Sequence, residues 1–599
     1  MWAQNYCEKI ANMMGDVRNY RLQIMSEDDC WSLFAKHAFG NKKLGARPDL
    51  EEIGRLVVRK CKGIPLAVKA LGGLLRSEQN PQEWKKILKN DVWDSSRKEH
   101  ILPALWLSYY YLPGHLKRCF AYCSIFPKGD ELNKQELILL WMGENLLETH
   151  KSMTAEEVGE EYFNDLLSRS LFQFDYHSVE HCYFTMHDLV YDLAKCVSGE
   201  SYFSLQDNVS EVSSKQSTCH LSYLQYKSDY IKNLEDFCDT KTLRTLLFRK
   251  LTWPFVEKDL THLLEQLPSM RYLRVLDVGG GVSMQERPLM TKLLNSTANL
   301  KLLRYLKFDH AGINEIPNSI CTLYNLQTLI LRQRGITRLP DSIGNLKQLI
   351  YLDLGRSSIG KIPDPIGNLK HLRYLDLSHS SIEEIPDTVC NLHELHTMKL
   401  YSCYNLKRLP NSITTLFNLR HLNISHDENF FRHMFCGTGL REMPPQMCKL
   451  KNLQTLPVFV VGKDSGSNIK ELGELQHLQG PDLLIKGLEN VLNEEDASGA
   501  KLEDKKRITR LGLLWMGDND DSQPAREALD RLQPHTNLKE LYIRSYGGTS
   551  FLPWVGHHSF FCIRSVRLSD FKTVVGCLHW DSYLPWNPSS YLDLICWRR

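Results

Sequence analysis

Leu349-Ile350-Tyr351-Leu352-Asp353-Leu354 is the stretch that decides how this 599-residue chain folds, because its pattern returns at a fixed interval. Leu303, Leu326, Leu349, Leu372 and Leu395 stand 23 residues apart, and Leu419 follows after 24. Each opens an L-x-x-L-x-L unit in which another apolar residue sometimes stands in. Two further series keep the same phase. One is Ile316-Pro317, Leu339-Pro340, Ile362-Pro363, Ile385-Pro386 and Leu409-Pro410; the other is Ile320, Ile343, Ile366, Val389 and Ile413. A repeat of about 20–29 residues with this motif reads as a leucine-rich repeat. Leu352 and Leu354 alternate on a short strand and point inward, as the two-residue period of a strand requires. The proline after each Ile or Leu lacks an amide donor and has a fixed φ, which suits an irregular convex return. One unit cannot bury its own apolar face, so neighbours stack into a solenoid.

Outward from this core the period loosens. An insertion, His426 to Gly439, interrupts it. Later units are legible at Leu453–Leu456, Leu538–Ile543 and Ile563–Leu568, and irregular earlier ones at Leu243–Leu246 and Leu273–Leu276. Strands are expected at all of these, with long connections between residues 457 and 537. Lys572–Arg599 carries Trp580, Trp586 and Trp597 in no repeat phase and reads as a divergent tail, a poor version of the polar cap that a solenoid needs.

Residues flanking the inward leucines are expected on the concave face. They are Tyr305, Lys307 and Asp309; Thr328, Ile330 and Arg332; Tyr351, Asp353 and Gly355; Tyr374, Asp376 and Ser378; Thr397, Lys399 and Tyr401. On this reading Tyr305, Tyr351 and Tyr374 stack in a column beside the Asp353–Asp376 column, with both carboxylates directed away from the core. Tyr and Arg favour protein interfaces, while Lys and Asp tune rate and specificity. The candidate partner-binding set is therefore Tyr305, Lys307, Asp309, Arg332, Tyr351, Asp353, Tyr374, Asp376, Lys399 and Tyr401.

Composition excludes several classes. The hydrophobic fraction is 42% and the charged fraction 24%, ordinary values for a globular protein. Net charge is +2 without a long basic run, which gives no argument for nucleic acid. The 17 cysteines form no disulfide framework and fit reduced thiols. Cys119 with Cys123, and Cys182 near His177, His181 and His187, lack a second pair to complete a tetrahedral zinc set and read as buried thiols. No run of about 18 apolar residues exists to span a bilayer, and Met1–Lys9 has no signal-peptide design.

In the first two hundred residues, Tyr20–Met25 alternates like a strand. Ser26, three before Asp29, marks a helix start whose buried face is Trp31, Phe34, Ala35 and Ala38. Gly63-Ile64-Pro65-Leu66-Ala67 places a proline in a first helical turn, and Gly72-Gly73 reads as a close-packing point. Cys119–Pro127 and Leu137–Trp141 are apolar helical blocks. Met186-His187-Asp188-Leu189 follows the strand-like Cys182–Thr185 and opens a helix that Asp188 could cap.

Five blocks in order, Tyr20–Phe39, Gly63–Leu75, Cys119–Pro127, Leu139–Trp141 and Met186–Leu189, resemble the NB-ARC module of plant resistance proteins with a coiled-coil N-terminus. The solenoid, including Leu532–His535 and Leu538–Leu541, is similar to the repeats of that class. The resemblance covers roughly residues 8–570. It implies an α/β architecture: a remnant of a P-loop NTPase domain (1–45), a first helical ARC subdomain (46–110) and a winged-helix ARC subdomain (111–200). A linker with irregular first repeats (201–270), leucine-rich repeats (271–570) and the tail (571–599) follow. In that family the proline matching Pro65 packs near adenine, and the histidine matching His187 meets the β-phosphate of ADP. Gly63, Leu66 and Asp188 belong to the same two motifs.

No G-x-x-x-x-G-K-[ST] occurs in the sequence. The family's sensor threonine-arginine block would lie just before Glu8, and its coiled coil earlier still, so the chain reads as truncated at the N-terminus, and at its divergent C-terminal tail as well. P-loop amides, Lys and metal build most of such a phosphate site. Losing three or four charge-assisted bonds removes on the order of 5–10 kcal/mol. ADP or ATP, bound by full-length relatives, is then expected to bind this chain more weakly than about 10 mM. The resemblance implies a cytoplasmic immune receptor that binds and switches and is not an enzyme. Its partners would be a pathogen effector or guarded host protein, and its own ARC subdomains. The alternatives are a slow ATPase of the same superfamily and a non-signalling remnant or decoy that binds through the solenoid.

Overall fold

The computed structural model describes residues 23–40, 48–76, 78–93, 101–148, 153–174, 183–205, 218–224, 241–249, 257–279, 287–309, 312–425, 439–463, 467–491, 493–516, 530–546, 554, 557–569 and 591–594. The chain forms two compact units, Met1–Tyr202 and Phe203–Arg599.

In the first unit, α1 (Glu27–Phe39), α2 (Pro48–Lys60), α3 (Pro65–Leu75), α4 (Pro81–Leu88) and α5 (Pro103–Tyr110) precede α6 (Gly114–Tyr122), α7 (Lys134–Gly143), α8 (Ala155–Ser168) and α9 (Asp188–Ser198). The Ser26 hydroxyl accepts the Asp29 amide at 3.1 Å, so α1 starts where its sequence signal stands. Trp31, Phe34, Ala35 and Ala38 are its buried face, and Phe34 meets Trp84 of α4 edge-on at 5.8 Å. The glycine pair of α3 marks a close approach on both sides. A Cβ at Gly72 would lie 3.1 Å from the Phe34 carbonyl oxygen, and one at Gly73 2.5 Å from that of Ser168. Residues 23–25 of the anticipated first strand are irregular, and 20–22 fall outside the described residues. The Met25 amide instead donates to the Gly63 carbonyl. Cys119 and Cys123 are buried, with the Cys123 thiol donating to the Cys119 carbonyl at 3.3 Å. His177, His181 and Cys182 lie outside the described residues.

Three short strands, β1 (Leu132–Asn133), β2 (Gln173–Phe174) and β3 (Tyr183–Thr185), pair antiparallel in the order β1-β3-β2. Phe163 of α8, Phe172 and Phe184 form the core beneath them, with ring centroids 4.6–5.3 Å apart. Helices closed by a small antiparallel wing give this unit its winged-helix character.

The second unit is built from parallel strands. The first sheet runs in chain order through β4 (Tyr202–Leu205), β5 (His220–Leu224), β6 (Thr245–Arg249), β7 (Val275–Gly279), β8 (Tyr305–Asp309), β9 (Thr328–Ile330), β10 (Tyr351–Asp353), β11 (Tyr374–Asp376), β12 (Thr397–Lys399) and β13 (His421–Asn423). The 23-residue period is its register: Leu329, Leu352, Leu375 and Met398 are direct neighbours, all buried. After each proline the return is a short 3₁₀ helix, as at Asp341–Asn345, Asp364–Asn368 and Asp387–Asn391. Pro340, Pro363 and Pro386 stand just before these turns with φ between −68° and −76°.

Three expectations are corrected. Residues 457–537 are not long connections, because β14 (Val458–Val460), β15 (Asp482–Lys486) and β16 (Arg510–Leu514) lie there. Together with β17 (Glu540–Arg544), β18 (Ser565–Ser569) and β19 (Tyr591–Leu594) they form a second parallel sheet of six. Their spacing varies, so a fixed-period reading misses them, whereas the backbone ladder aligns Leu483 with Leu511 and Leu541. Leu453–Leu456 is not a strand; only a bridge between Thr455 and His421 falls there, and the strand begins two residues later. The tail is not wholly out of phase, since Val566 pairs with Leu592 and Leu568 with Leu594. Tyr591-Leu-Asp-Leu594 repeats the tetrapeptides at 351–354 and 374–377, a signal present in the sequence itself. Strands β5 and β6, within the 201–270 segment of irregular first repeats, belong to the same sheet as the regular repeats. Residues 426–438 of the insertion, and Trp580, Trp586 and Trp597, lie outside the described residues. Among the described residues no helix is long and apolar enough to cross a membrane.

Candidate functional site

In the first unit the two candidate motifs sit at helix starts. Gly63 has φ +74°, and a Cβ there would lie 2.9 Å from the Met25 carbonyl oxygen. Only glycine fits that turn without strain. Ile64 is extended (φ −88°, ψ 112°), as a residue before proline must be, and Pro65 opens α3. Leu66 is buried and Pro65 exposed, so of these three only Pro65 presents a side chain outward. At the second motif His187, not Asp188, is the cap. The His187 Nδ1 accepts the Leu189 amide at 3.2 Å, and Asp188 is the first residue of α9. An Nδ1 that accepts fixes the neutral ring's proton on Nε2. His187 and Asp188 are both exposed. Helices α3 and α9 each pack on α5, so one element positions both motifs. On α9, burial pulls Lys195 down to about 8, a feature that no motif advertised.

The solenoid rearranges the concave reading. Tyr305 and Asp353 are fully buried (0% exposed), and Tyr351, Tyr374 and Asp376 are nearly so. The expectation that the aspartates face solvent is therefore wrong. So is the three-tyrosine column, because Thr328 stands in register between Tyr305 and Tyr351. Only Tyr351 and Tyr374 stack, with ring centroids 4.0 Å apart and planes 7° off parallel. Strands about 4.8 Å apart place like positions within contact, so large side chains cover one another.

The aspartates have internal work. Asp353 Oδ1 accepts the Gly355 amide at 3.0 Å, while its Oδ2 accepts Arg332 Nε at 2.9 Å and Nη2 at 2.6 Å. Asp376 Oδ1 accepts the Ser378 amide at 2.9 Å, and its Oδ2 the Tyr374 hydroxyl at 3.1 Å. Asn423 does the same for Ser425. These are Asx turns, and those of Asp353 and Asp376 lead the backbone into left-handed residues at Arg356 and His379. Burial, then the Asp353 charge, pushes the Asp376 carboxyl above its usual range against the pull of Lys399. Lys399 also lies over the Tyr374 ring at 5.4 Å, and Lys307 reaches Asp277 at 3.3 Å. Arg332 bridges on to Asp309 at 4.0 Å. Of the predicted set, Lys307, Asp309, Arg332, Lys399 and Tyr401 keep part of their side chains accessible.

This arrangement defines a class: a helical and winged-helix unit followed in the same chain by a leucine-rich-repeat solenoid. Family descriptions agree segment by segment. Residues 125–194 match the disease resistance protein winged helix domain, 255–370 a leucine-rich repeat region, and 469–583 the R13L1/DRL21 leucine-rich repeats. A disease resistance protein of Arabidopsis thaliana is 36% identical over 567 residues, covering 92% of this chain and 33% of the relative. The disease resistance RPP13-like protein 1 of the same plant is 34% identical, covering 94% and 46%. The disease resistance protein RGA4 of Solanum bulbocastanum is 31% identical, covering 95% and 46%. The chain belongs to the plant disease resistance proteins with leucine-rich repeats. It spans between a third and just under half the length of these relatives.

Proposed function

We propose that the chain acts as part of a cytoplasmic plant immune receptor, in which the solenoid senses a pathogen effector or guarded host protein and the first unit gates the signal. It binds and switches rather than catalyses. The carrying observation is the winged-helix match at 125–194 in one chain with repeats of the resistance-protein type. In the switch, Pro65 packs against adenine and the His187 Nε2–H donates to a diphosphate. This fits their exposure at two helix starts that share α5. The test is expression in leaf tissue of the receptor in a P-loop-bearing context, with His187→Ala. Cell death without a pathogen supports the gate; silence in that variant, with an intact response to pathogen, refutes it. Calorimetry of the 599-residue chain with ADP addresses the nucleotide separately: affinity weaker than about 10 mM is expected, and micromolar affinity would mean that the residues present suffice.

A further inference from the structure

The reading above leaves open where on the solenoid a partner docks and what chemistry it carries. Each strand is preceded by a tight turn. Counting from the leucine that opens a unit, positions −2, −1 and +1 form the edge of the sheet at which the strands begin. Backbone bonds fix this edge across repeats: the amides of Arg304, Gln327, Ile350 and Arg373 donate to the +1 carbonyls of the preceding units at 2.8 Å. Side chains at matching positions therefore follow one another at about 4.8 Å.

Over the five units opened by Leu273, Leu303, Leu326, Leu349 and Leu372, these fifteen positions hold seven Lys or Arg and no Asp or Glu. With 73 basic and 71 acidic residues in the chain, about two of each would fall there by average composition. Arg271, Lys301, Lys347 and Lys370 of this set are exposed. The acids lie elsewhere on the repeat, where Asp341, Asp364 and Asp387 open the 3₁₀ returns. Charge is thus sorted in four of these five repeats although the chain is nearly neutral. The same edge carries apolar side chains in three consecutive units: Tyr272 is 59% exposed, Leu302 41% and Tyr324 62%. The unit opened by Leu326 carries no charge at these positions, and the first acid arrives with Glu394 of the unit opened by Leu395, which pairs with Arg373 at 3.1 Å.

We infer that the strand-start edge between Arg271 and Lys370 is a docking surface for a partner protein with an acidic face, anchored on Tyr272, Leu302 and Tyr324. Same-sign neighbours at strand spacing, Arg271 beside Lys301 and Lys347 beside Lys370, repel each other, and an anionic partner relieves that repulsion. Exposed tyrosines inside a basic rim have the composition of a protein interface. Single-stranded nucleic acid would want successive stacking faces, and the aliphatic Leu302 between the two tyrosines offers none. The inference does not depend on immune signalling, because it concerns only what this edge binds.

The experiment uses the full chain and a fluorescein-labelled 20-residue peptide, Glu-Glu-Leu-Glu-Glu four times over, read by anisotropy at 50 and 200 mM salt. Binding that weakens at the higher salt is expected. Lys301→Glu with Lys347→Glu and Lys370→Glu should weaken it at least tenfold. Arg338→Glu with Lys361→Glu and Lys407→Glu, exposed residues away from the edge with the same charge change, should change it less than twofold. Tyr272→Ala with Tyr324→Ala should weaken it about tenfold at both salts. All variants are checked for folding by circular dichroism. Absence of wild-type binding at millimolar peptide overturns the inference. So does equal loss in the two charge triples, or no loss in the tyrosine pair. Tighter binding of a 20-nucleotide oligothymidylate that is lost in the edge triple would reassign the surface to nucleic acid.

Discussion

Asp353 and Asp376 occupy the same place in two identical Tyr-Leu-Asp-Leu tetrapeptides, yet the same substitution should act in opposite directions on them. Asp353→Asn keeps an Oδ1 that can accept the Gly355 amide but removes the charge that receives both Arg332 bonds. Breaking a fully buried ion pair costs about 3–5 kcal/mol, and an exposed one about 0–1 kcal/mol. Here the carboxylate is fully buried and the guanidinium 41% exposed, so the expected loss is about 2 kcal/mol. Asp376→Asn also keeps its turn, since Asn423 makes the equivalent bond to Ser425. It removes a charge that burial and Asp353 already disfavour. The result should be neutral or stabilising at pH 7. A carboxyl raised in the folded state binds more protons there than when unfolded, so stability falls as pH rises from 3.8 through the raised value. The advantage of Asp376→Asn should accordingly shrink as the pH drops through that window, where the wild-type side chain is neutral too. Urea midpoints by circular dichroism at pH 7 and pH 4.5, with hydrogen exchange at the Gly355 and Ser378 amides, measure both effects. If Asp376→Asn lowers the midpoint at pH 7 as much as Asp353→Asn, the asymmetry drawn from Arg332 is wrong. Lysine at both positions should unfold the neighbouring repeats, because neither site opens to water.

In the first unit, His187→Ala should cost about 1 kcal/mol by removing the cap of α9, and Asp188→Val no more than the few tenths to 1 kcal/mol of a first-turn acid. Thermal unfolding that ranks them in reverse would restore Asp188 as the cap. Gly73→Ala should lower stability by about 1–3 kcal/mol despite alanine's better helix propensity, since its methyl would meet the Ser168 carbonyl at 2.5 Å; a rise in melting temperature would contradict the close approach. His220 is buried against Thr245 and held down to about 3 by burial, then by Arg244 and Arg274. The unfolded chain binds its proton between pH 6.5 and 3, so stability should fall by about 4–5 kcal/mol as pH drops through that range. His220→Gln should flatten the acid limb of the stability profile, and an unchanged limb would exclude this histidine as its source.

The regular repeats were legible from sequence because their burial is local and periodic. Leu349, Leu352 and Leu354 lie inward whatever the rest of the chain does, and the prolines mark each return. Helix starts at Ser26 and Pro65 were legible for the same reason, being set by a few adjacent residues. The irregular strands β14–β16 were not, because varying connections break the period that a linear reading depends on. Nor could the sequence tell which flanking residues reach solvent. Tyr351, Asp353 and Arg332 sit at outward positions of their strands, and burial there comes from neighbours 21–23 residues away. Parallel register makes Tyr351 stack on Tyr374 and puts Arg332 over Asp353. By itself the sequence determined the repeat and the inward face; only the tertiary stacking of one repeat on the next decided that its two central aspartates are turn staples rather than contacts for a partner.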